Sequence, residues 1–170
     1  MMKKLTVLLV FFVFGLFGFA NAITIDIDST LDTSNTPISL QLDAGFYDVT
    51  PIENDFMAWN AWGVVDLPEN GKQKGWINNY SISSAEFGTI FTSDNGRYST
   101  PAEALQNALS TSFTLSSQSI VKFYIDDNNY QDNLGGMSLS IAPVPEPATL
   151  LLLGSGLAGL ALYRRRMNKV

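Results

Sequence analysis

Eight residues between two apolar runs, Asp126-Asp-Asn-Asn-Tyr-Gln-Asp-Asn133, concentrate oxygen donors. Asp126, Asp127 and Asp132 offer carboxylates, and Asn128, Asn129, Gln131 and Asn133 offer amides. Hard cations such as calcium take about six to eight oxygens from carboxylates, amides and main-chain carbonyls, which this loop can supply. With no cation, acids placed so close repel one another. The spacing is not that of an EF-hand, because Gln131 stands where that loop needs its glycine. A polar hairpin connection whose Asp and Asn side chains form local Asx turns would use the same residue types.

Carboxylate pairs such as Glu53 with Asp55, or Asp126 with Asp132, have the residue types of glycoside cleavage. Nothing marks either pair among so many acids, and the expectation is a protein that is not an enzyme. The chain has no histidine, which removes the commonest general base and transition-metal ligand. It has no cysteine, so there is no disulfide framework, thiol nucleophile or thiolate zinc site. Residues 23–143 hold fifteen of the 16 acidic residues but only Lys72, Lys74, Arg97 and Lys122 among the basic ones. Such a body repels phosphate backbones, which excludes nucleic acid as a partner and favours divalent cations.

The elements that must position the loop read as short strands. Ile23–Asp28 and Ile38–Leu42 alternate apolar and polar residues. Further strands are expected at Phe46–Ile52, Phe56–Trp62, Gly75–Ile82, Glu86–Phe91, Ser112–Leu115 and Ile120–Ile125. Asn133-Leu-Gly-Gly136 is expected to turn into a last strand, Met137–Ile141. Ser93-Asp-Asn-Gly96 is a tight-turn signal. Thr100-Pro-Ala-Glu103 has a cap, a first-position proline and a third-position glutamate, and opens the one helical segment, Ala102–Leu109. The pattern predicts an all-β fold, an antiparallel β-sandwich or jelly roll with one short helix. Trp59, Trp62, Trp76, Tyr80 and Tyr130 could stack on sugar rings, although such residues more often fill a sandwich core.

Phe123-Tyr-Ile-Asp, Tyr130-Gln-Asp-Asn-Leu-Gly and Ser138-Leu-Ser-Ile form a strand–loop–strand unit. It resembles the C-terminal hairpin of the bacterial calcium-dependent galactose-binding lectins of jelly-roll type. Ala58-Trp-Asn-Ala-Trp-Gly63 is similar to an earlier segment of that family. The resemblance implies side-chain metal ligands at Asp126, Asp132 and Asn133, and carbonyl ligands at Trp62 and Asn129. The loop is one residue shorter than in the family, so either Asp126 or Asp127 can take the first role. An aspartate stands at 132 where the family has an amide, and the family's sugar-binding histidine has no counterpart. Calcium is therefore better supported than galactose.

Both termini carry signals of export. Lys3 and Lys4, the apolar run Leu5–Phe19 and Ala20-Asn-Ala22 have the order of a secretory signal peptide, with cleavage expected after Ala22. The tail reads Val-Pro-Glu-Pro from 144 to 147, then an uncharged apolar run Ala148–Tyr163, then Arg164, Arg165 and Arg166. As a helix that run would rise about 24 Å, slightly short of a hydrocarbon core of about 30 Å. The arginines favour the cytoplasmic side and stop the segment there.

This arrangement resembles the PEP-CTERM sorting signal of Gram-negative bacteria. The resemblance implies recognition of Pro145, Glu146 and Pro147 by an exosortase, a membrane cysteine transpeptidase, and delivery to the cell surface or polysaccharide matrix. The expected organisation is a signal peptide at 1–22, a β-sandwich at 23–142, a Pro-Glu-Pro linker at 143–147, a transmembrane helix at 148–163 and a basic tail at 164–170. The membrane is then a transient anchor, and carbohydrate or exopolysaccharide a partner of the body.

Overall fold

Alternation along the strands decides the architecture. In a computed structural model, which describes residues 21–62, 74–145, 154–160 and 164, Ile25 and Ile27 are buried while Asp26 and Asp28 look outward. The same two-residue period recurs at Tyr47 and Val49, at Phe113 and Leu115, and at Val121 and Phe123. The strands are β1 (Ile23–Asp28), β2 (Ile38–Leu42), β3 (Gly45–Ile52), β4 (Trp59–Asn60), β5 (Tyr80–Ser84), β6 (Gly88–Thr92), β7 (Thr111–Leu115), β8 (Ser119–Tyr124) and β9 (Leu134–Val144). One short helix, α1 (Pro101–Gln106), and a 3-10 turn at Tyr130–Asp132 complete the body.

Two antiparallel sheets result. One runs β1-β9-β3-β7, with β4 added beside β9, and the other runs β2-β8-β5-β6. Ile27, Val49, Phe113 and Leu139 from the first share one apolar cluster with Ile82, Val121 and Phe123 from the second. The sheets therefore face each other as a sandwich, and each fully buried Ile or Phe in the cluster contributes about 1.5–3 kcal/mol.

Side-chain hydrogen bonds, some local and some to remote segments, shorten three of the expected elements. The strand expected at Gly75–Ile82 begins only at Tyr80, because Asn78 and Asn79 are engaged elsewhere. Asn78 Nδ2 donates to Ala104 O at 2.9 Å, and Asn79 O and Oδ1 accept from Trp59 Nε1 at 3.2 and 3.1 Å. Trp76 and Ile77 keep single bridges to Tyr98 and Trp59. The strand expected at Phe56–Trp62 shrinks to β4, since Asn60 Oδ1 accepts from Trp62 N at 3.0 Å and bends the chain. Helix α1 starts as expected, with Thr100 Oγ1 accepting from Glu103 N. It stops at Gln106 rather than Leu109, where Asn107 Nδ2 takes the carbonyl of Glu103 at 2.8 Å.

The glycine pair is a larger correction. Gly135 and Gly136 make no turn but lie inside β9. A Cβ on Gly136 would stand 2.0 Å from Ile27 O, and one on Gly135, at φ +83°, would stand 2.5 Å from Ala58 O. The two glycines are what lets the neighbouring backbones close on β9.

Residues 1–20 of the leader expected at 1–22, Glu146 and Pro147, Arg165 and Arg166, and most of the apolar run lie outside the described residues. Residues 154–160 are helical and exposed. Among the described residues, no helix is long and apolar enough to cross a membrane.

Candidate functional site

Strand β9 leads out of the acidic loop, and the segments around its first residues form the site. Ser29, just after β1, donates both its N–H and its hydroxyl to Gly135 O, at 3.1 and 2.7 Å. On the other flank Trp59 pairs with Gly135 and Asn60 with Leu134, and Gly136 N donates to Ala58 O at 3.1 Å. The antiparallel register carries the chain from Asn60 toward the level of Asn133 and Asp132. The two distant segments quoted for the lectin resemblance, around Trp62 and around Asp132, are thus brought side by side.

The loop itself is held at both ends. Ile125 N donates to Asp32 O at 3.0 Å where the loop begins, and Asn133 Nδ2 donates to Ser29 O at 2.9 Å where it ends. Between them, Asn129 Nδ2 donates to Asp132 Oδ2 at 2.8 Å. Asn133 is only 7% exposed, and its Oδ1 has no hydrogen-bond partner. Asp132 Oδ1 is likewise buried and unpartnered. Each such orphaned acceptor costs about 1–3 kcal/mol. These two belong to consecutive residues at the end of the loop.

Asp126 is exposed and Asp127 half-buried on the opposite arm of the loop. Among the described residues no three His, Cys, Asp or Glu side chains gather as a metal cage. What remains is one carboxylate oxygen and one amide oxygen on consecutive residues, Asp132 Oδ1 and Asn133 Oδ1, both of types that calcium accepts.

The aromatic residues divide cleanly. Trp59 at 2%, Trp76 at 9% and Tyr80 at 1% exposure belong to the interior and present no ring face to a sugar. This corrects the stacking role considered for Trp59 and Trp76. Trp62 and Tyr130 are half-buried, and the Tyr130 hydroxyl lies 3.5 Å from Ser34 Oγ.

Ser29, Asp32 and Ser34, which help hold the loop, lie in the polar connection between β1 and β2, where no local periodicity marks them. Burial, with the charge of Asp28 beside it, raises the Asp32 carboxyl pKa despite a hydrogen bond from Asp28 N. Asp26 shows the opposite outcome. Burial pushes its pKa up, yet hydrogen bonds from Ser138 Oγ at 2.5 Å and Asn54 Nδ2 at 3.0 Å hold it below the usual value. Asp94 is likewise held low against burial, by Tyr98 OH, Gly96 N and Asn78.

At the other end of the molecule Glu86 reaches from the β5–β6 turn to the β7–β8 turn. Its carboxylate accepts from the hydroxyls of Ser119, Ser116 and Ser117 and from two backbone N–H groups there. These bonds, led by Ser119, bring its pKa down to about 2. Glu53 and Asp55 lie exposed between β3 and β4.

No curated protein and no solved structure matches the chain, so the lectin resemblance stands on the residues quoted for it. The tail is different. Residues 143–166 match the PEP-CTERM protein-sorting motif, which marks the chain as an exported substrate of exosortase, sorted at the membrane.

Proposed function

We propose that the sandwich is a non-enzymatic calcium-binding domain, displayed at the surface or in the exopolysaccharide matrix of a Gram-negative bacterium, with carbohydrate as its ligand class. The observation that supports it is the pair of buried, unspent oxygens, Asp132 Oδ1 and Asn133 Oδ1. Asp126 or Asp127 and the carbonyls of Trp62 and Asn129 would fill further positions. Vicinal sugar hydroxyls would complete the shell, with the half-buried rings of Trp62 and Tyr130 available as flanks. The strand order β1-β9-β3-β7 over β2-β8-β5-β6 supports a jelly-roll wrapping of two interlocked Greek keys. The apolar tail serves as a temporary membrane hold while exosortase acts.

A ligand-free structural role is the second reading. It draws on the way the loop bonds to itself through Asn129, Asp132 and the 3-10 turn.

Thermal unfolding of the full-length chain in detergent, in calcium and in chelator, tests the proposal. Calcium at about 100 times its Kd stabilises by about 2.7 kcal/mol. At about 4 °C per kcal/mol, where the ranges for smaller and larger domains meet, Tm then rises by about 10 °C. Asp132→Asn keeps the shape and loses the charge, so its Tm in chelator stays near the parent's while the calcium shift falls by more than half. A parent that melts identically in both conditions removes calcium and leaves the structural role. A glycan array read with and without chelator then decides carbohydrate: calcium-dependent hits support it, and none would leave calcium alone.

A further inference from the structure

Strand β9 ends where the sorting motif begins. The matched segment opens at Pro143, yet Pro143 and Val144 are still strand, paired with Tyr47 and Phe46 of β3. Val144 is followed at once by Pro145-Glu146-Pro147, so no spacer separates fold from motif. An enzyme that captures an extended peptide uses its main-chain N–H and C=O groups, the same groups a sheet uses. Backbone groups committed to β3 cannot serve both.

The end of β9 is also held loosely. Strand β1 covers β9 only as far as Ile23 opposite Ile141, so among the described residues β3 alone pairs with 142–144. Phe46 and Val144 face each other at 42% and 39% exposure, so their contact removes little apolar surface from water. From Ser138 to Ile141, by contrast, β9 is paired on both sides.

We infer that exosortase takes Ala142, Pro143 and Val144 together with the Pro-Glu-Pro motif as one extended substrate, and that these three residues must first peel from β3. The inference rests on the exosortase reading of the tail. The peel stops at Ile141, where pairing on both sides resumes. Tyr47, beside Pro143, keeps its stacking on Phe113 at 5.3 Å and its hydroxyl bond to Asp43 O at 3.0 Å, so the core stays closed.

A cross-link across the peeling pair tests this. Facing residues of antiparallel strands have Cα atoms about 4.5–5.5 Å apart, within the disulfide range of about 4.4–6.8 Å. The chain has no other cysteine, so Phe46→Cys with Val144→Cys gives one defined bond after export. The full chain is followed in a bacterium carrying an exosortase, reading tail loss as a mass shift. The oxidised double variant should be processed at least about tenfold more slowly than the parent, equivalent to about 1.4 kcal/mol in the barrier. Reductant, or either single cysteine, should restore the parental rate.

A short Gly-Ser spacer between Val144 and Pro145 should also release the cross-linked chain, by supplying free extended backbone. Parental processing of the cross-linked chain without the spacer overturns the inference. So does a block that the spacer leaves in place, since the cross-link would then act by another route. Glu146→Ala sets the unprocessed reference. If the parent itself behaves like that variant, the exosortase reading falls and takes the peeling with it.

Discussion

At its first residues β9 is gripped from both flanks, by Ser29 on one side and by Ala58 and Trp59 on the other, whereas at its last residues only β3 remains. The first end is built from buried backbone and close glycine contacts, and it leaves two oxygens unspent. The second end is built from exposed residues; in the same half of the molecule Glu86 ties the β5–β6 turn to serines next to the end of β7. At about 3.3 Å per residue, the strand's 11 residues set these ends roughly 33 Å apart. One strand therefore joins a rigid pole beside the acidic loop to a loose pole beside the sorting motif. Rigidity comes from paired, buried main chain, and looseness from one-sided pairing.

The largest effect should come from filling the glycine contact at the rigid pole. In Gly136→Ala the new methyl meets backbone, Ile27 O at 2.0 Å, as well as the Phe56 ring at 2.8 Å. No side-chain rotation relieves the first clash, so the cost lies near the upper end of overpacking, about 3 kcal/mol. At about 4 °C per kcal/mol, Tm falls by about 12 °C. Ala142→Gly at the other end costs at most about 1 kcal/mol. Equal losses in a thermal melt would break the comparison between the poles.

A smaller effect separates the poles by pH. Glu86 ionises at about 2 in the folded chain against 4.5 ordinarily. A folded-state pKa below the unfolded one gives stability that is present above the unfolded value and lost as pH falls toward the folded one. Glu86→Gln should therefore lower Tm at pH 7, and the deficit should close between pH 4.5 and about 2. A deficit of the same size at both extremes would show that the brace does not depend on the charge.

What the sequence disclosed follows from how local each signal is. Alternation at Ile25-Asp26-Ile27 and Val121-Lys122-Phe123 needs only neighbouring residues to be read, and those strands stand where expected. The Thr100-Pro-Ala-Glu103 cap and the Pro-Glu-Pro motif are contiguous and equally legible. The role of Gly135 and Gly136 was not, because the atoms they make room for belong to Ile27 and Ala58, remote in the chain. Asn78 shows the same limit, since its partner is the carbonyl of Ala104. At the candidate site the loop could be bounded from Asp126 to Asn133. The unspent oxygens could not, because they arise from packing against Ser29 and β4. Glu86 was placed in a strand, and its serine partners thirty or more positions away gave no local sign.

The smallest effect is the most direct reading of the contrast. Hydrogen exchange on the folded chain measures how readily each amide of β9 opens. Amides from Ser138 to Ile141 lie between two strands, so their opening should need the free energy of global unfolding. Those of Ala142 and Val144 are the only amides beyond Ile141 in the strand, because Pro143 has none. With β3 alone beside them, they should exchange by local fraying, at a free energy well below the global one. Calcium should widen the difference from the other end, slowing exchange at Asn133 and Leu134 while leaving Val144 unchanged. If Ala142 and Val144 were as protected as Leu139, the two ends would be equally firm, and a peeling substrate would have no physical basis.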